Sequence, residues 1–201
     1  LEGPKVLFEE YFEDCDNVSF AVYNEESDEN WECNVGVYGE NNSGSYGMNG
    51  YEALPTPSKD WLITKTPINF DNDTGEKLRF YADATYGIDP LELLYSLNYD
   101  GSSNPSDFNW EPVPNVPALI HDNTSTEKVY IIADADISSI AGTVYFAFKY
   151  YSFEDPTRWT VDSFEITADN DTNPDTDNDG VLDVDDNCPD IANADQTDTD
   201  L

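Results

Sequence analysis

An all-β chain, built as an antiparallel two-sheet β-sandwich with an irregular acidic tail behind it, is the fold class that three observations predict. Short runs rich in Val, Ile, Tyr, Phe and Trp, broken by clusters of Gly, Pro, Asn and Asp, fill residues 5–168, and no long stretch keeps a helical period. Several runs alternate strictly. In the run from Thr143 to Tyr150, Val144, Phe146 and Phe148 fall on one face and Tyr145, Ala147 and Lys149 on the other, as a sheet with one face in a sandwich core requires. From residue 169 onward the apolar residues thin out and Asp recurs in a fixed register.

Taken in chain order, strands are predicted at 6–10, 34–38, 45–48, 60–63, 76–82, 91–97, 128–133, 143–151 and 159–166. Each is four to nine residues of β-branched, aromatic or alternating character, and each is bounded by residues that favour turns. The body, 5–168, has the length of one domain with a substantial core, and 169–201 reads as a separate tail.

The 201 residues carry 43 acidic and 8 basic side chains, a formal charge of -35; 169–201 alone holds twelve Asp and no Lys or Arg. Nucleic-acid binding runs through cations that neutralise phosphates, so this balance excludes a nucleic-acid partner, and it disfavours an anionic membrane surface. Neutral glycans and metal-dependent contacts stay compatible with it. The chain has no apolar run near eighteen residues, so no membrane insertion is expected. Of three cysteines, Cys15 and Cys33 are candidates for a disulfide in an oxidising compartment; Cys188 is expected unpaired within the chain.

The tail carries the sharpest motif. Asp175, Asp177, Asp179, Asp183 and Asp186 occupy positions 1, 3, 5, 9 and 12 of a loop with Gly180 at position 6, where a turn excludes a Cβ. Carboxylates in that register repel one another unless a hard cation sits among them, and calcium fits best, with the Val181 carbonyl as a further ligand. Position 12 is Asp, shorter than the Glu that closes helix-loop-helix calcium loops. The bland alternative is a solvated acidic linker. The continuation Asn187, Cys188, Pro189, Asn193, Gln196, Asp198 and Asp200 completes the pattern DxDxDGxxDxxDNCPxxxNxxQxDxD, so that 175–200 resembles a thrombospondin type 3 repeat. That resemblance implies an extracellular, calcium-wound spacer, with Asp198 and Asp200 opening a second loop.

The order of motifs in the body resembles a second family. LFEEYFED (7–14), NW (30–31), SGSYGMNGY (43–51), KDWLITKTPINF (59–70), EKLRFYAD (76–83), LELLYSLNYDGS (91–102), VYFAFKY (144–150) and RWTVDSFEI (158–166) follow one another as in the MAM-like jelly rolls called choice-of-anchor J or cleaved adhesin domains. The resemblance implies a jelly-roll sandwich in a secreted or cell-surface bacterial protein, with a structural calcium joining first and last strands. Carried onto this sequence, Glu13 and Asp162 are its ligands, Asp60 or Asn49 further candidates, and Asp14 or Glu10 alternatives to Glu13. Exposed loop carboxylates are the competing reading for Glu13 and Asp162.

Catalysis finds little support. His121 is the only histidine, in a polar connection where a solvated ring is expected, and no acid pair or phosphate-binding glycine motif stands out. The reading is therefore a non-enzymatic accessory module, a monomer, whose partner is a polysaccharide. Sugar rings stack on exposed aromatics, and the chain has 4 Trp, 13 Tyr and 10 Phe. Trp31, Tyr46, Tyr51, Tyr86 and Phe108 lie in polar or Gly-rich connections and are the candidate platforms. Trp110 joins them, although its strand-like context, shared with Trp61 and Trp159, favours core. An adhesin or spacer with protein partners is the alternative.

Overall fold

The computed structural model describes residues 3–26, 28–34, 38–51, 57–153, 155–169, 177, 179–181 and 185–197. Twelve strands run through them: β1 (Lys5–Glu10), β2 (Phe20–Glu26), β3 (Glu32–Asn34), β4 (Ser45–Met48), β5 (Ser58–Thr64), β6 (Ile68–Asn69), β7 (Lys77–Thr85), β8 (Leu91–Ser96), β9 (Glu111–Pro112), β10 (Lys128–Asp136), β11 (Thr143–Ser152) and β12 (Arg158–Ala168). Two antiparallel sheets result. The first has the order β10-β7-β12-β4-β3, with β1 also on β12; the second has the order β2-β5-β11-β8-β9, with β6 also on β11.

The alternation seen in the sequence decides which faces meet. From β7, Leu78, Phe80, Ala82 and Ala84 point inward; from β11, Val144, Phe146, Phe148 and Tyr150; from β12, Trp159, Val161, Phe164 and Ile166. Phe164 is the hub. Its ring packs edge-on against Phe8, Phe20, Phe146 and Phe148 at centroid separations of 5.3–6.0 Å, the arrangement the aromatic quadrupole favours. A bulge between Asp162 and Glu165, with Ser163 at φ +53°, lets Val161 and Phe164 both reach this core although they are three residues apart.

The structure corrects several boundaries. The sequence predicts no strand where β2 lies, since only Phe20, Ala21, Val22 and Tyr23 are apolar before the run turns acidic. The expected strand at 34–38 shifts back to Glu32–Asn34, and residues 35–37 lie outside the described residues. Cys33 in β3 is bridged to Cys15, with Cα atoms 5.8 Å apart. This ties the loop after β1 to the far edge of the first sheet.

Candidate functional site

The outward residues of the first sheet build a polar trough. Strand register sets Val129, Asp83, Thr160, Gly47 and Glu32 in one row across β10, β7, β12, β4 and β3. Thr85 and Arg158 form the adjacent row, and Tyr81 and Asp162 the row on the other side. Gly47 stands where the row would otherwise carry a side chain, and it lines the smaller of the two concavities on this face. A Cβ on Gly47 would approach the Asn34 amide nitrogen at 2.9 Å and no backbone atom closer than 3.7 Å.

Two concavities lie along this face. One, of about 310 Å³, is lined by Asn30, Glu32, Asn34, Gly47, Asn49 and Thr160 together with Tyr38 and Arg158. The other, of about 490 Å³, is lined by Tyr81, Thr85, Tyr86, Ser125 and Glu127, again with Tyr38 and Arg158. The Arg158 guanidinium lies over the Tyr38 ring, 5.1 Å from its centroid, and donates from Nη2 to Thr85 Oγ1 at 3.0 Å. Below it Asp83 is fully buried. Burial pushes the Asp83 carboxyl up to about 7, and the nearby Glu127 charge adds to the shift while Arg158 opposes it. Tyr81 is pushed up to about 12, first by burial and then by Asp83.

The candidate rings divide between places. Tyr86, at φ +65° and 54 % exposed, stands at the trough. Tyr51, 69 % exposed, is the most open of them. Tyr46 turns inward, 5.3 Å from Phe12, because its neighbour Gly47 takes the outward position. Trp31, expected at the surface, is instead 3 % exposed within the core, drawn in beside the Cys15–Cys33 bridge and β3. Phe108 and Trp110 sit on the opposite sheet. There Trp110 leans on Trp61 at 5.3 Å, and Tyr99 contacts Phe108, Trp110 and Tyr145, a second small core that the loop after β8 lays over the outer face. Trp61 Nε1 donates to Glu25, and Lys149 lies over the Trp61 ring. Nothing in the sequence alone singles out the trough residues Tyr38, Tyr81, Asp83 and Arg158.

The acids assigned by resemblance have protein partners. Asp162 Oδ2 accepts from Glu40 N and Ser43 Oγ at 2.8 and 2.6 Å, and Oδ1 accepts from Ser163 N. Burial still raises its carboxyl, against the pull of those bonds. Glu13 Oε1 accepts from Gly44 N at 3.2 Å, so both acids clasp the turn at 39–44. Glu10 accepts from Phe12 N and Ser19 N, and Asp14 from Asp16 N. Asp60 lies in the second sheet, cross-strand from Asn24 and Tyr150, accepting from Ser58 Oγ at 2.8 Å; burial pushes it up to about 7. Asn49 is exposed and accepts from Tyr51 N. His121 is not solvated as expected but 5 % exposed, its ring nitrogens 3.1 Å from Gly87 O and 3.0 Å from Thr126 O.

Among the described residues, Asp177, Asp179 and Asp186 are the acids whose oxygens converge within 4.8 Å of one another. Asp175, Asp183, Asp198 and Asp200 lie outside the described residues. The rest of the tail motif laces the loop closed: Asn193 N donates to Asp179 Oδ2 at 2.6 Å, Gln196 Nε2 and Cys188 N donate to Asp186 Oδ1, and Asn193 Nδ2 donates to Asn187 Oδ1. Val181 N donates to Asp179 Oδ1, and Gly180 adopts φ +94°. Each of the three carboxyls thus offers one oxygen to a shared point, as a group that holds a metal ion does.

No family model and no curated protein matches the chain. Solved structures do share the fold. The K1 cleaved adhesin domain of Lys-gingipain from Porphyromonas gingivalis W83 is 21 % identical and aligns over 81 % of this chain and 98 % of its own, with a TM-score of 0.51. The K3 cleaved adhesin domain of the same protein is 14 % identical over 82 % and 99 %, also at 0.51. A family 22 carbohydrate binding module of Clostridium thermocellum Xyn10B aligns at 8 % identity over 85 % and 98 %, with a TM-score of 0.47. At these identities the likeness to the adhesin domains is one of fold. Among the described residues no helix is long and apolar enough to cross a membrane.

Proposed function

We propose that residues 5–168 form a non-catalytic module of a secreted or cell-surface protein that binds a polysaccharide, and that 169–201 is a calcium-stiffened spacer of the thrombospondin type 3 kind. The observation that carries the first half is the trough on the first sheet: from Asp83 to Glu32 a row of small and polar side chains, open at Gly47, flanked by Tyr38, Tyr81 and Tyr86. Planar amides, carboxyls and rings along a sheet face suit a chain of sugar hydroxyls and C–H faces, whereas a compact apolar ligand would find few partners there. Titration calorimetry with a panel of neutral and acidic oligosaccharides tests this. Binding by the native protein and its loss in Gly47→Thr, whose Cβ would crowd the end of the Asn34 side chain and no backbone atom closer than van der Waals contact, is the expected result; equal binding by both proteins removes the trough from the reading.

The spacer reading rests on the converging triad. Among the described residues Asp186 Oδ2 is buried without a hydrogen-bond donor, the condition in which a cation is the natural partner. Sensitised terbium emission and calcium calorimetry would show one tight site that Asp179→Ala abolishes, and no calcium uptake would sink it.

A second reading, docking to protein, is favoured by the edge strand β10, which exposes Val129 and Ile131. Such docking would survive Gly47→Thr and fail in Ile131→Lys.

A further inference from the structure

Tyr38 and Arg158 line both concavities of the first sheet, so their stacked side chains are the partition between them. What lies at this partition is polar and unmatched. Among the described residues neither carboxylate oxygen of Asp83 meets a hydrogen-bond donor, and the Arg158 Nε meets no acceptor, although all three atoms are buried. Arg158 Nη2 stands 3.7 Å from Asp83 Oδ1, too far for a hydrogen bond, and donates instead to Thr85 Oγ1. Buried polar atoms without partners are rare in folded proteins, and several together directly beneath the side chain that divides a groove ask for an occupant.

The missing partners define that occupant. Asp83 needs donors and Arg158 needs an acceptor, and one hydroxyl supplies both through a single oxygen; two neighbouring hydroxyls of a pyranose or furanose satisfy both carboxylate oxygens at once. An acidic sugar fits poorly, because its carboxylate would face Asp83, Glu32 and Glu127 with Arg158 as the nearest cation.

We propose that Asp83 is the specificity-determining carboxyl of the trough: vicinal hydroxyls of a neutral sugar displace the Arg158 side chain from above it, join the two concavities into one, and bond to the Asp83 oxygens and the Arg158 Nε. This rests on the reading of the trough as a glycan site. It requires only a rotamer change of Arg158 at the start of β12, a motion open to a long side chain that is partly exposed.

The test compares native protein, Asp83→Asn and Gly47→Thr in calorimetry against neutral pentose- and hexose-based oligosaccharides, their 2,3-di-O-methyl derivatives and matched uronic-acid oligomers, each variant with its melting temperature. Expected are binding of the neutral sugars alone, a loss of tenfold or more in Asp83→Asn without a lower melting temperature, and a similar loss for the methylated sugar on the native protein. Asp83→Ser serves if the Asn variant melts early. Loss in Gly47→Thr together with a change under twofold in Asp83→Asn overturns the role of Asp83 and leaves the trough standing. Unchanged binding in both variants, or no binding to any of these sugars by the native protein, overturns the trough reading and this proposal together.

Discussion

At the scale of single residues, the buried acids are the least comfortable feature of the body. Asp60 and Asp83 are fully buried, and neither forms a hydrogen-bonded ion pair. At a pH well above 7 each therefore brings a charge into a poorly solvating site, at a cost on the order of 2–4 kcal/mol. Asp83→Asn removes that cost. Its melting temperature should exceed that of the native protein at pH 8, and the difference should shrink as the pH falls and vanish near pH 4, below which the carboxyl is protonated in both folded and unfolded chains; a lower value at both pH 8 and pH 4 would mean that the carboxylate is satisfied in solution. Phe164 marks the opposite extreme. With its ring edge-on to four others, Phe164→Ala should lose about 3–5 kcal/mol in chemical denaturation, enough to unfold a marginally stable domain.

At the scale of elements, the Cys15–Cys33 bridge closes a loop across β2, and its loss should cost about 3 kcal/mol by the loop-entropy relation. Unfolding of Cys15→Ser/Cys33→Ser in urea measures it, and an unchanged midpoint would show that register alone holds β2 and β3. Most strands were legible because Val144, Phe146 and Phe148, like Leu91 and Leu93, repeat with the period of a strand. The trough was not. The predicted strand at 76–82 stops one residue short of Asp83, because an acid after an apolar run looks like the start of a turn; the strand continues to Thr85, and the acid lies fully buried beneath Arg158. The sequence places Tyr38 at the end of a strand, and only the fold of 39–44 around Glu13 and Asp162 shows it stacked with Arg158. Outward faces of sheets have no periodic signature of their own, so pairing register, a property of distant segments, decides which polar residues become neighbours.

At the scale of the whole molecule, two effects push stability in one direction. The folded-state values of Asp60 and Asp83 are raised from 3.8 to about 7. Between those limits the native state holds protons that the unfolded chain has released, so stability falls as the pH rises from about 4 to about 7 and levels off above. The net charge of -35 adds repulsion over the same range. At the acid end Glu40 and Glu25, both lowered, set the limit; the Arg79 bond holds Glu40 down, while for Glu25 burial pulls upward and the bonds from Trp61, Lys59 and Ser106 together outweigh it. Their contribution is lost as the pH falls through their depressed values. Thermal melts from pH 3 to 9 should therefore peak near pH 4 to 5 in chelator, with added salt raising the alkaline side most. A flat profile between pH 5 and 8 would contradict the burial of both acids. Calcium in the tail should leave this profile of the body intact while ordering the triad of Asp177, Asp179 and Asp186.

The pairing of β1 with β12 also settles how the body answers a pull. Lys5 lies across from Ala168 and Glu10 from Phe164, so the beginning of the first strand and the end of the last are neighbours in antiparallel register. Tension applied through these two points loads the ladder one hydrogen bond at a time, as a zip is opened, and not all bonds together in shear. Peeling should begin at low force and travel along β1, and then stop. At Cys15 the load crosses the bridge to Cys33 and leaves the intervening loop, β2 included, out of the force path. A force-extension trace should thus show an early release of about ten residues, followed by a stiffer core whose contour length grows when the bridge is reduced.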